Sequence, residues 1–126
     1  MHRRSLERAP SHAAWTLVTW RVLDGHESAF VDAWRVLGDV LAALDQPPVW
    51  GVLLRNHHDP RAFSSFGPWR GFQEVDVMRR NPLVQEAFQR LVDCCHEAEA
   101  GTFELAARID ATDALSALAQ GSLRHG

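Results

Sequence analysis

Few side chains in this 126-residue sequence are of types that do chemistry, and fewer are spaced to do it together. Thr19 and Arg21 lie two apart in an apolar, β-branched segment, so they share one face of a strand, where a guanidinium can hold a phenolate or carboxylate. The competing use of Arg21 is an ion pair with an Asp or Glu, such as Glu104, or with a partner subunit. His57 and His58 sit in a turn, and imidazole titrates near neutral pH, so His57 is a candidate general base toward a substrate hydroxyl. Adjacent turn residues point apart, however, and spacing supplies no third ligand for a metal. Trp69 ends the run Ser64-Ser65-Phe66-Gly67-Pro68-Trp69 and offers a wall on which a planar molecule can stack, with Phe66 and Phe88 as apolar companions. Packing alone is the competing role for all three aromatics, and Trp20, Trp34 and Trp50 read as core.

Other constellations lose their support on geometry. Cys94-Cys95-His96 falls in a segment expected to be helical, where three consecutive side chains cannot converge on one ion. Two adjacent helical cysteines point ~100° apart and form no unstrained disulfide. His96 reads as a partly exposed helix residue, and Glu97 and Glu99 as a solvated helix surface. Gly67-Pro68-Trp69-Arg70-Gly71 lacks the spacing and Gly-Lys-Ser/Thr ending of a phosphate loop, and no G-x-S-x-G elbow is present.

The 13 basic residues are all arginine, none forms a basic block, and the formal net charge is −3, which argues against nucleic acid or a membrane surface as partner. No apolar run approaches the ~20 residues needed to cross a bilayer. The basic first ten residues lack the apolar region of a secretory signal, so a cytoplasmic location is expected. With 46% hydrophobic and 23% charged residues the chain has the composition of one globular domain with one core.

The elements that must position these residues follow from periodicity. Residues 1–12 read as a loose, flexible arm. Trp15 to Val22 reads as a strand with apolar groups on both faces. From His26 to Leu44, the stripe Phe30, Trp34, Leu37, Leu41 and Leu44 has helical spacing, and Gln46-Pro47-Pro48 stops it. Strands from Val49 to Arg55 and from about Arg61 to Phe66 flank the turn Asn56-His57-His58-Asp59-Pro60 as a hairpin. A short helix is expected from Gly71 to Arg80. A longer one, capped by Asn81 with Pro82 in its first turn, is expected to reach Ala100 and close at Gly101. A fourth strand is expected from Thr102 to Ile109, and residues 111–126 as a short helix, capped by Thr112, and a tail. The domain proper is then 13–110.

The order β-α-β-β-α-β is that of a ferredoxin-like α+β domain with a four-stranded antiparallel sheet. Two helices cover one sheet face, and Trp15, Leu17 and Trp50 make the other too apolar for water, so sheet-to-sheet homodimerisation is expected.

With this element order, Gly25 before the first helix, Gln46-Pro47-Pro48 before the second strand, the Phe66-Gly67-Pro68-Trp69 junction and Asn81-Pro82, the chain resembles the antibiotic biosynthesis monooxygenase family of dimeric α+β barrels over roughly Trp15 to Ile109. The resemblance implies a homodimer with a pocket between sheet and helices in each protomer. It also implies oxygenation of an aromatic, quinol or polyketide-like small molecule with no metal, flavin or haem, the deprotonated substrate itself giving an electron to O₂. Trp69 looks like the tryptophan that members place at the end of the third strand. Haem-degrading members also need an asparagine in the first strand and a histidine on the second long helix; Val18 or Thr19 and Phe88 stand near those places, which disfavours haem degradation. The residues alone name no catalytic group, so a non-catalytic ligand-binding dimer on the same fold, or an isomerase or decarboxylase, stands beside the oxygenase reading.

Overall fold

The structure is a computed structural model that describes residues 14–111. The expectations for residues 1–12, and for the helix capped by Thr112 with its tail, lie outside the described residues. Four strands and three helices follow in the order β1 (Ala14–Val22), α1 (Glu27–Ala42), β2 (Val52–Arg55), β3 (Ala62–Trp69), α2 (Phe72–Arg79), α3 (Pro82–Val92) and β4 (Cys95–Glu104). The strands form one antiparallel sheet in the order β2-β3-β1-β4, the ferredoxin-like arrangement with its two crossovers.

Period-two alternation assigns each strand residue to a face. Thr16, Val18, Trp20 and Val22 of β1 point toward the helices, and their neighbours across β3 include Gly67, Ser65 and Phe63. Phe30 of α1 packs its ring 5.2 Å from Trp20 and 4.9 Å from Phe63, and Phe88 of α3 lies 5.2 Å from Trp20. Trp20, Phe30 and Phe63, with Val22, Leu37, Val84 and Leu91, form the main core, and the partly buried Phe88 packs against it. Each such fully buried side chain contributes roughly 1.5–3 kcal/mol of transfer free energy.

Local signals fix where elements start. Gly25, with φ of 83°, makes the turn between β1 and α1, a conformation that favours glycine. Asn81 caps α3, its side-chain oxygen accepting from the backbone N–H groups of Leu83 at 2.8 Å and Val84 at 3.2 Å, with Pro82 in the first turn. A cap of this kind is worth about 1 kcal/mol. Gly67 is required by a close approach: a Cβ there would lie 2.1 Å from the Trp50 carbonyl oxygen, so the segment before β2 presses directly on β3.

Several expectations are corrected. The long helix ends at Val92 rather than near Ala100, and the segment from Cys95 onward is strand. Its alternation of Ala98 and Ala100 with Glu97 and Glu99 has the period of a strand, and pairing with β1 outweighs the helix propensity of Glu and Ala. Gly101 is therefore a strand residue, and Glu97 and Glu99 lie on the sheet face away from the helices. The fourth strand is Cys95–Glu104, not Thr102 to Ile109; residues 105–110 have no regular structure and Ile109 is 89% exposed. The second strand begins at Val52 and the third continues through Pro68 to Trp69. Trp50 is not core: it is 46% exposed, its ring 5.6 Å from Trp15 and 6.3 Å from Phe66.

No described element covers the second sheet face. Register places Trp15 opposite Phe103 and Pro68 there, and Leu17 opposite Phe66 and Gly101, with Val52 opposite Phe66. Leu54 and Phe103 are each 52% exposed.

Candidate functional site

Between the helix-facing side of the sheet and the three helices lies a cavity of about 560 Å³, within the size range of small-molecule sites. Thr16, Val18, Trp20, Ser65 and Ala100 form its floor; Trp34, Leu37 and Leu41 of α1 and Phe88 of α3 form its walls. Pro48, Trp50 and Gly51, held against β3 by the Val49 N–H bond to the Pro68 carbonyl at 2.9 Å, close one side. Met78 and Arg79 of α2, with Gln85 and Gln89 of α3, border its mouth.

Two indoles set the polarity of the floor. Trp69 is 2% exposed and donates its Nε1–H to the Thr16 hydroxyl at 2.9 Å; Trp20 donates to the Ser65 hydroxyl at 3.0 Å. A buried indole N–H left without a partner would cost about 1–3 kcal/mol, so each hydroxyl fixes a ring plane. A hydroxyl that accepts from an indole still has its own proton to donate. Among the described residues neither hydroxyl gives that proton to another side chain or backbone group, so both can turn toward a bound acceptor.

The mouth is arranged differently. Gln85 donates to the Arg79 carbonyl at 2.8 Å, and Gln89 to the Asp93 carboxylate at 2.9 Å, which leaves each amide oxygen as an acceptor. Arg79 donates to the Thr102 hydroxyl. Arg79 is the one ionisable residue lining the cavity among the described residues. The walls can stack on a planar molecule, the floor can donate hydrogen bonds, and no carboxylate or imidazole among the described residues lines the cavity to take a proton.

Of the residues singled out in the sequence, the structure brings Trp69, Phe66 and Phe88 to this cavity. Phe66 lines it as part of β3, but register turns its ring to the opposite sheet face, 6.4 Å from Trp15. Thr19 and Arg21 sit on the opposite sheet face, paired with Ser64 and Ala62. Arg21 makes an ion pair at 3.0 Å with Asp59, not with Glu104. His57 is exposed in the hairpin turn, its ring 4.9 Å from that of His58. The Asp59 carboxyl is held below its ordinary value by the Arg61 backbone N–H and then by the Arg21 guanidinium. Cys94 and Cys95 are free, half-buried thiols; burial, then the neighbouring Cys94, pushes Cys95 up to about 11. Such a thiol is a poor nucleophile at neutral pH. No group of three His, Cys, Asp or Glu is placed to hold a metal ion among the described residues, and no helix there is long and apolar enough to cross a membrane.

Thr16, Ser65 and Arg79 line the cavity but are not among the residues that the sequence singles out. One signal was available for Thr16: Trp20 and Val22 mark the interior face of the first strand, and Thr16 is the polar residue in phase with them.

No family model and no curated protein matches the sequence. Solved structures do match the fold. A conserved protein from Methanosarcina mazei Go1 superposes with a TM-score of 0.69 at 16% identity, over 79% of this chain and 99% of that one. SnoaB, a cofactor-independent oxygenase from Streptomyces nogalater, does so with a TM-score of 0.64 at 19% identity, over 78% of this chain and 96% of that one. A structure described as an antibiotic biosynthesis monooxygenase gives 0.63 at 9% identity, over 76% of this chain and 99% of that one. The chain has the ferredoxin-like α+β fold of the antibiotic biosynthesis monooxygenase structures.

Proposed function

We propose that the protein is a homodimeric oxygenase that acts on an aromatic or quinol-type small molecule with O₂ and without a cofactor. The observation that carries this reading is the 560 Å³ cavity, apolar in its walls and lined by Trp69, Trp20 and Phe88. Its likeness in fold to SnoaB supports the reaction class. For an anthrone-type substrate the balance is simple. The ring methylene gives a proton to solvent as the substrate ionises, the carbanion passes one electron to O₂, and the two radicals combine to a peroxide anion that takes a proton back. Loss of water then leaves a carbonyl, one oxygen atom retained and one released as water. The protein's part is to hold the ring against Trp69, keep water out, and donate hydrogen bonds from Thr16 and Ser65 to oxygen atoms that gain negative charge. Dimerisation would pair the two uncovered sheet faces around Trp15, Leu17 and Phe103.

Oxygen uptake with dithranol and a panel of quinols tests the proposal. Uptake above the buffer rate, one O₂ per substrate, is expected; a rate equal to buffer across the panel contradicts it. A non-catalytic ligand-binding protein is the second reading, favoured by a cavity lining that holds no carboxylate or imidazole among the described residues.

A further inference from the structure

Arg79 occupies an unusual position for a surface arginine. It closes the last turn of α2 at the cavity mouth, and its guanidinium is oriented by the Thr102 hydroxyl of β4. None of the ion pairs among the described residues includes it; those formed by arginine join Arg21 to Asp59, Arg35 to Asp32 and Arg90 to Glu86. Among the described residues no Asp or Glu lines the cavity beside it. A guanidinium has five N–H donors in a planar fork, and one bond to a hydroxyl leaves most of them for a ligand. Behind it the walls are apolar, and Gln85 is drawn back onto the Arg79 carbonyl.

We propose that Arg79 makes the cavity selective for planar aromatic ligands bearing an anionic oxygen group, a carboxylate or ionised phenol, with the ring system inside against Trp69 and the charged group at the mouth on the guanidinium. This rests on the cavity being the ligand site and goes beyond that reading in fixing the ligand's charge and its orientation. Thr102 is a positioning residue: it holds the fork open toward the cavity.

Isothermal titration calorimetry with 2-naphthoate and with its neutral counterpart 2-naphthamide tests it, because the two share ring and shape. The native protein should bind the acid severalfold more tightly, as a charge-assisted hydrogen bond at an exposed mouth would give. Arg79→Gln should remove that preference while keeping affinity for the amide, Arg79→Lys should restore part of it, and Thr102→Val should reduce it. Raising the salt concentration should shrink the preference, since the pair is partly exposed. Equal affinity for acid and amide in the native protein, or a preference unchanged in Arg79→Gln, overturns the assignment and leaves the cavity reading intact. Failure of both compounds to bind overturns the cavity reading and this one with it.

Discussion

Thr16 and Thr102 stand directly opposite each other on β1 and β4, and each hydroxyl accepts one N–H, Thr16 from the Trp69 indole and Thr102 from the Arg79 guanidinium. A single cross-strand pair thus ties the buried wall of the cavity to the cation at its mouth. Thr16→Val keeps the shape but strands the buried indole N–H, and should lower stability by about 1–3 kcal/mol in chemical denaturation. Thr16→Ser, which keeps the hydroxyl, should cost less. Equal losses in the two variants would show that the hydroxyl is not what holds Trp69.

Gly67 and Gly101 make a paired test of backbone contact. A Cβ at Gly67 meets the Trp50 carbonyl at 2.1 Å, whereas one at Gly101 meets the Phe103 ring at 2.7 Å. Backbone cannot swing aside, but a half-exposed ring can. Gly67→Ala should therefore cost about 1–3 kcal/mol and disturb the cavity wall formed by Trp50, and Gly101→Ala clearly less. Denaturation midpoints of the two variants check the order.

Asp59, held by the Arg61 backbone N–H and then by the Arg21 guanidinium, sets a small pH dependence. The folded protein holds Asp59 below its ordinary 3.8, so its contribution is present above that value and is lost as pH falls through the lowered one. Asp59→Asn should therefore be slightly less stable than the native protein at pH 7. The difference should vanish in strong acid. A gap that persists there would assign the effect to something other than the charge.

The uncovered sheet face makes the oligomer testable. Sedimentation should show a two-chain species for the native protein. Leu17→Asp, which places an unpaired charge at the centre of the proposed interface, should abolish that species with loss of soluble protein. Retention of a native-like dimer by this variant would show that the interface lies elsewhere.

Much of the architecture was legible because its signals are local. The stripe from Phe30 to Leu41, the stop at Gln46-Pro47-Pro48 and the cap at Asn81 depend on near neighbours alone. The β4 register was not, since Cys95 to Ala100 carries helix-forming residues whose strand state is set by β1, some eighty residues away in sequence. The site was legible in part for the same reason. Aromatic side chains announce a wall by type, so Trp69 and Phe88 could be named, whereas the ring of Phe66 turns to the opposite sheet face. The hydroxyls of Thr16 and Ser65 gain their role from cross-strand neighbours, and Arg79 from the helix end that carries it over the mouth. Thr19 and Arg21 were correctly placed on one strand face, but which face meets the helices is decided by packing around Trp20.

The oxygen electrode, run with dithranol on the native protein and on Ala100→Trp, addresses the central proposal most directly. Ala100 is an exposed floor residue of the cavity, so an indole there should fill the space at little cost in stability. Oxygen consumption well above buffer for the native protein, lost in the filled variant while its fold is retained, is the predicted result. Native consumption equal to buffer, or consumption that survives with the cavity filled, would contradict the assignment of this cavity as the site of reaction.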